Sequence, residues 1–221
     1  SIDGVLFNKD LTQIICYPEA KNGNQYTIPD SVTHIGNYLF NDCSALQSIE
    51  ISNSVTHIGN YAFSGCSALQ SIDIPNSVTY IGNRAFDLCK SLQSIEVEKD
   101  NQYFASIDGV LFNKDLTQII RYSRAKYGSQ YTIPNSVTHI GYEAFSGCEA
   151  LQNIVIPDSV THIGDYAFSG CMALQSIDIP NSVTHIGYRA FMECRALQSI
   201  DIPNSVTHIG DDAFHWCKAL Q

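Results

Sequence analysis

Apolar positions along this chain recur with a long fixed period, and the local rhythm inside each period predicts short extended segments. Around residue 70, Leu69, Ile72 and Ile74 are apolar, and Ile72-Asp73-Ile74 alternates as a strand with one buried face does. Pro75 has no N–H to give to a ladder, so this strand is predicted to stop there. Val78, Thr79 and Ile81 form a second short extended segment, and Gly82 is read as permitting a turn. Ala85, Phe86 and Cys89 fall at i, i+1 and i+4, which predicts one short helical turn facing the core. One coil is therefore expected to run strand, extended arm, helical turn.

The segment Ile28-Pro29-Asp30-Ser31-Val32-Thr33-His34-Ile35-Gly36 returns, nearly letter for letter, from Ile51, Ile74, Ile133, Ile156, Ile179 and Ile202. Within each block the step is 23 residues. A period in the twenties fits a leucine-rich repeat, in which no coil buries its apolar face alone. Equivalent strands of successive coils should pair in parallel at about 4.8 Å. Each repeat position then becomes a column. Phe40, Phe63, Phe86, Phe145, Phe168, Phe191 and Phe214 are expected to form an aromatic spine, with Leu46, Leu69, Leu92, Leu151, Leu174, Leu197 and Leu220 beside it.

Two longer elements interrupt the period. Ser1 to Ile28 and Ser106 to Ile133 match closely at an offset of 105 residues. Asp3-Gly4 and Asp108-Gly109 read as hairpin turns, and second turns are expected at Asn8-Lys9-Asp10 and Asn113-Lys114-Asp115. The fold class expected is a leucine-rich-repeat solenoid, a right-handed β/α superhelix. It has short parallel strands, extended arms, short helical turns and two β-hairpin-like inserts. Residues 1–221 are expected to form a single solenoid, with inserts at 1–27 and 106–132 and repeat blocks at 28–97 and 133–221. The opening Ser1-Ile2-Asp3-Gly4 and the stop at Leu220-Gln221 within a unit read as a fragment of a longer protein.

The units I-P-x-S-V-T-x-I-G-x-x-A-F-x-x-C-x-x-L-x-x-I resemble the BspA-like leucine-rich repeats. The long units, with D-G-V-L-F and Tyr17-Pro18 followed by Tyr26-Thr27-Ile28-Pro29, resemble that family's insert module. The resemblance covers essentially the whole chain and implies a surface protein. Members occur on host-associated bacteria and in some protists, and several are adhesins for host matrix proteins or other microbes.

Composition changes this picture little. Hydrophobic residues make up 44% of the chain, enough to bury a core. No stretch has the roughly 18 apolar residues of a membrane span. The formal net charge of −10 disfavours nucleic acid, whose phosphates require clustered Lys and Arg. Basic proteins or cations are the better partners.

Seven cysteines, Cys43, Cys66, Cys89, Cys148, Cys171, Cys194 and Cys217, share one repeat position. Local C-x-x-C pairs of the zinc-binding kind are absent, so a stack of buried thiols acting as small hydrophobes is expected. Cys16 stands outside the column, opposite Arg121 in the second insert, and is expected to be a partly exposed thiol. His34, His57, His139, His162, His185 and His208 form another column, with Tyr80 in one coil. Stacked imidazoles suit metal chelation or pH sensing, but a column of histidines without carboxylates reads more simply as a half-buried face. Protonating neighbours together is expected to destabilise the fold below about pH 6. No metal, cofactor or catalytic group is assigned.

Three further columns point outward. Glu50, Asp73 and Glu96, then Val155, Asp178 and Asp201, occupy the strand position facing away from the core. This acidic stripe suits a basic partner or Ca²⁺, or it serves solubility alone. Gln47, Gln70, Gln93, Gln152, Gln175 and Gln198 read as a structural amide ladder. The pairs after the repeat glycine vary most, from Asn37-Tyr38 to Asp211-Asp212. Among them Tyr142, Tyr166, Tyr188 and Arg189 are the kinds of residue that anchor interfaces.

The functional expectation is a non-catalytic protein-binding or adhesion module of a cell-surface or secreted protein. It would bind host matrix, serum or other cell-surface proteins, with weak sites adding through effective concentration. A structural spacer and an intracellular interaction scaffold are the alternatives; unpaired thiols suit the second.

Overall fold

The computed structural model describes every residue of the chain except Ala20 and Asn22. The chain forms two compact units, Ser1–Gly109 and Val110–Gln221, each built of stacked coils.

The first unit contains β1 (Leu6–Phe7), β2 (Ile14–Cys16), β3 (Gln25–Thr27), β4 (His34–Ile35), β5 (Ser48–Glu50), β6 (His57–Ile58), β7 (Ser71–Ile74), β8 (Tyr80–Ile81), β9 (Ser94–Val97) and β10 (Phe104–Ile107). β1 and β2 are antiparallel and form the expected hairpin. Asp3 and Gly4 have φ of 47° and 80°, the pair of left-handed residues that fits a two-residue hairpin turn. At the other turn, Asn8 Oδ1 accepts the main-chain N–H groups of Thr12 (2.8 Å) and Gln13 (3.1 Å). β4, β6 and β8 run parallel, aligning His34, His57 and Tyr80. β3 pairs with β5, and β7 with β9, also in parallel.

The second unit contains β11 (Val110–Asn113), β12 (Gln118–Arg121), β13 (Gln130–Thr132), β14 (His139–Ile140), β15 (Asn153–Val155), β16 (His162–Ile163), β17 (His185–Ile186) and β18 (His208–Ile209). β11 and β12 form its hairpin, closed by Asn113 through the same bonds to Thr117 and Gln118. β12 then pairs in parallel with β14, so the insert supplies one rung of the solenoid. β14, β16, β17 and β18 continue that ladder. β13 pairs with β15, and Ser176 bridges Ser199.

Both extended runs of the repeat are therefore ladders. The Thr-His-Ile run, expected as an arm, is the more continuous one in the second unit.

The core is a set of columns. Phe40, Phe63, Phe145, Phe168 and Phe191 are fully buried. Their rings stack at centroid distances of 5.3 Å (Phe40–Phe63), 5.0 Å (Phe145–Phe168) and 5.2 Å (Phe168–Phe191). Tyr17 and Tyr122 extend the spines, 4.8 Å from Phe40 and 5.1 Å from Phe145. Polar repeat positions tie coil to coil. The Ser182 hydroxyl donates to the carbonyl of Val160 at 2.6 Å, and the Thr161 hydroxyl to that of Thr138 at 3.2 Å. The Cys171 thiol donates to the carbonyl of Phe145 at 3.2 Å. The Cys column is thus buried as expected from Cys43 to Cys194, with Cys217 half-buried, and it also donates hydrogen bonds. The glutamine column is joined mainly by the main chain, as in Gln93 N to Gln70 O at 2.8 Å.

Two local expectations change. Among the described residues the Ala-Phe segment forms successive tight turns and no helix. Its N–H groups are taken by the next coil: Phe63 N bonds Ala85 O at 2.8 Å and Gly65 N bonds Asp87 O at 2.9 Å. A helix would need those donors for itself. Second, Gly82 does not supply a left-handed turn. A Cβ on it would meet the main-chain N of Asn60 at 2.5 Å, so this glycine lets coils approach. The left-handed residue is Arg84, two positions on (φ 58°).

Candidate binding surfaces

Each coil turns through a non-glycine residue in the left-handed region: Tyr38, Tyr61 and Arg84 in the first unit, then Glu143, Tyr166, Arg189 and Asp212 in the second. That conformation costs a side chain roughly 1–2 kcal/mol relative to an ordinary turn. Within each unit, stacking copies it from coil to coil and lines these side chains along an edge.

In the second unit this edge gathers the four residues expected there. Tyr142 and Tyr166 meet edge to face at 6.0 Å, and Tyr166 and Tyr188 at 5.3 Å. The Arg189 guanidinium lies 4.8 Å from the Tyr188 ring centroid and 3.0 Å from Asp212 Oδ2. The ion pair with Asp212 raises the pKa of Arg189. Partial desolvation, then the hydrogen bond to Tyr166, raises that of Tyr188. Tyr142 is exposed, and the other three are half-buried.

The first unit carries a related edge that sequence reasoning did not single out. Tyr38 and Tyr61 stack at 4.8 Å, and Arg84 Nη1 donates to the Tyr61 hydroxyl at 2.9 Å. The signal lay in the same variable pairs. The first residue of a pair has a different job when it is Asn or Asp. Asn37 Oδ1 accepts Asn60 N, and Asp165 Oδ1 accepts Tyr188 N, each at 2.8 Å. Those residues clamp coils together, whereas Tyr142 and Tyr188 add aromatic surface at that position.

In the first unit the acidic residues lie on strands, Glu50 on β5, Asp73 on β7 and Glu96 on β9, whereas Asp178 and Asp201, expected on strands, follow the isolated Ser176–Ser199 bridge and lie outside any strand. Glu50, Asp73, Glu96, Asp178 and Asp201 are exposed. Asp73 and Glu96 stand directly in register on β7 and β9. Glu50 Oε2 accepts the Thr27 hydroxyl at 3.1 Å, and Glu96 Oε2 that of Ser106 at 3.3 Å. In the first unit a groove of about 400 Å³ runs beside Glu50, Asp73 and Glu98. Glu98, which replaces the repeat proline, was not among the expected residues. In the second unit Val155 interrupts the stripe, 58% exposed.

The histidines stack in register, with rings 4.6 Å apart for His139–His162 and 4.5 Å for His162–His185. Burial, then the two neighbouring imidazoles, lowers the pKa of His162. Among the described residues no group of three or more His, Cys, Asp or Glu side chains is arranged as a metal site. All eight cysteines are free thiols, and Cys16 is exposed as expected. Burial pushes Cys43 up to about 12 and Cys148 up to about 11. Those thiols stay protonated at neutral pH and are poor nucleophiles.

Parallel coils with columns of Ile, Phe, Leu and Cys define a leucine-rich-repeat solenoid. The family description "BspA type Leucine rich repeat region" matches residues 14–123 and 125–221, in six copies. The chain belongs to this family. A leucine rich cell surface protein from Faecalibacterium prausnitzii A2-165 is 35% identical over 90% of this chain, with a TM-score of 0.73. The pneumococcal vaccine antigen PcpA is 26% identical over 86% (TM-score 0.73). A leucine-rich repeat protein from Eubacterium ventriosum ATCC 27560 is 27% identical over 90% (TM-score 0.70). The chain spans 58%, 55% and 65% of the lengths of those three chains, respectively. Comparison with curated protein sequences gives no significant match. Among the described residues no helix is long and apolar enough to cross a membrane.

Proposed function

We propose that this chain is a non-catalytic protein-binding module of a cell-surface or secreted protein, and that its main contact surface is the Tyr/Arg edge of the second unit. The observation that carries the reading is the continuous contact from Tyr142 through Tyr166 and Tyr188 to Arg189. Tyr and Arg bring large contact area with a polar tip, and they dominate interface hot spots. Mutual packing holds these side chains before any partner arrives, which reduces the ordering cost of binding. The surface location is supported by the kinship to a bacterial cell-surface protein. The non-catalytic reading is supported by the use of the thiols as coil-to-coil donors.

The test is surface plasmon resonance against a panel of extracellular-matrix and serum proteins, with and without Ca²⁺. Two variants are compared with the native chain: Tyr166→Ser with Arg189→Ser, and Asp73→Asn with Asp178→Asn and Asp201→Asn. The reading expects saturable binding that falls at least tenfold in the first variant and persists in the second. Loss in the second variant alone places the contact on the acidic stripe. No binding to any panel member favours a spacer or an intracellular scaffold.

A further inference from the structure

The two inserts are internal copies whose differences are confined to one loop. Residues 1–15 and 106–120 are identical, and so are 25–28 and 130–133. Within the intervening loop, Arg121, Ser123, Arg124, Tyr127 and Ser129 stand where the first copy has Cys16, Pro18, Glu19, Asn22 and Asn24. The changes add two arginines and an aromatic ring and remove one carboxylate. They run against the acidity of the rest of the chain.

The second loop is built firmly. Tyr122 is buried against Tyr131 at 4.9 Å, and Ser123 is fully buried. Lys126 N closes a turn on Ser123 O at 3.1 Å. Arg121 is buried and donates to the carbonyl of Glu143 at 2.9 Å. The Arg124 guanidinium lies over Gly147, in the space a Cβ there would fill. At the homologous position of the first unit the residue is Asp42. Both guanidiniums lower the pKa of the Cys148 thiol against the larger effect of burial, which places two positive charges beside one point.

Beside this loop is a depression of about 590 Å³, within the range of small-ligand sites. Arg124, Lys126 and Glu149 line it, with the small side chains of Ala125, Ala150 and Ala173. Ser129 and Gln152 add hydrogen-bonding groups. Tyr127 rises from the lip, 81% exposed. Cations, an uncovered aromatic ring and a shallow bed of alanines match a flat ring that carries a negative group. They match a long peptide side chain less well, because that would need depth.

We propose that this depression binds an anionic sugar residue, one bearing a carboxylate or a sulfate. Arg124 and Lys126 hold the anionic group by charge-assisted hydrogen bonds, Tyr127 packs on the sugar ring, and Ser129 and Gln152 take its hydroxyls.

The experiment is saturation-transfer NMR and calorimetry with four probes. These are a hyaluronan hexasaccharide (carboxylate only), a heparin hexasaccharide (sulfate and carboxylate), a chitin hexasaccharide (neutral) and an oligoglutamate peptide. The native chain should bind one or both anionic sugars and not the neutral one, with affinity falling as salt is raised. Which anionic sugar binds tells carboxylate from sulfate. Arg124→Glu with Tyr127→Asn restores the residues of the first copy and should weaken binding at least tenfold without lowering the melting temperature. Lys126→Gln, a milder change, should weaken it severalfold. Binding unaffected by these variants, binding of the neutral sugar with equal strength, or no anionic sugar binding overturns the proposal. So does oligoglutamate binding as tightly as the sugars without need of Tyr127, which would make this a site for acidic peptide.

Discussion

Thr161 Oγ1 lies 2.8 Å from Nδ1 of His162. The same hydroxyl donates its one proton to the carbonyl of Thr138 at 3.2 Å, so it must accept at the imidazole. Nδ1 of His162 therefore carries a hydrogen and donates it to the threonine. Thr138 with His139 and Thr184 with His185 repeat the arrangement. Each of these rings is thus held by the threonine before it, which also bonds the preceding coil.

A pH dependence follows. The pKa of His162 in the folded chain lies below its ordinary value near 6.5. The unfolded chain then binds a proton more readily than the folded one, so the stabilisation is complete above pH 6.5 and is lost as pH falls through the folded value. The melting temperature is expected to drop between pH 7.5 and pH 5, and the drop should shrink in His162→Gln. Equal melting temperatures at both pH values would contradict this account.

Thiol reactivity should separate the cysteines sharply. Cys16 is exposed and Cys217 half-buried, while the other six are buried. Titration of the native chain with an aromatic disulfide reagent is expected to label Cys16 promptly and Cys217 more slowly. The rest should react only after denaturation. Prompt reaction of Cys148 or Cys171 would show that the column opens far more readily than the packing allows.

The aromatic spine should be among the costliest places to cut. Phe168 is fully buried between Phe145 and Phe191. Phe168→Ala is expected to lower stability by about 3–5 kcal/mol in denaturant unfolding, the usual cost of such a cavity. A loss under about 1 kcal/mol would mean that neighbouring coils collapse into the gap.

Two glycines test the two reasons for having one. A Cβ on Gly187 would lie 2.5 Å from the main-chain N of Asp165, and main chain cannot step aside. Gly187→Ala should cost about 1–3 kcal/mol through overpacking. Gly170 has room but φ of 74°, so Gly170→Ala should cost about 1–2 kcal/mol through handedness. Adding a residue that tolerates left-handed φ separates the cases: Gly170→Asn should recover part of its loss, and Gly187→Asn none.

Much of this was legible because the repeat copies every constraint seven times. Phe63, Leu69, Ile72 and Cys66 sat in fixed columns, so their burial followed from stacking alone. The Asp3-Gly4 turn was legible because φ above zero at two successive residues selects that pair. The left-handed turn at Arg84 was not, since arginine carries no left-handed signature. Gly82 was misread because sequence cannot tell a glycine needed for φ from one needed for room. Tyr142, Tyr166, Tyr188 and Arg189 were legible as exceptions to a repeat. Tyr38, Tyr61 and Arg84 were passed over because the clamping role of Asn37 and Asn60 beside them needs coordinates to be seen.

Hydrogen–deuterium exchange of the chain alone, and saturated with the panel protein it binds most tightly, tests the central claim most directly. The account predicts new protection in the turns at 142–147, 165–170 and 188–193, with the segments carrying Asp73 and Asp178 unchanged. Protection confined to those segments, or spread over neither surface, would contradict a Tyr/Arg edge as the contact.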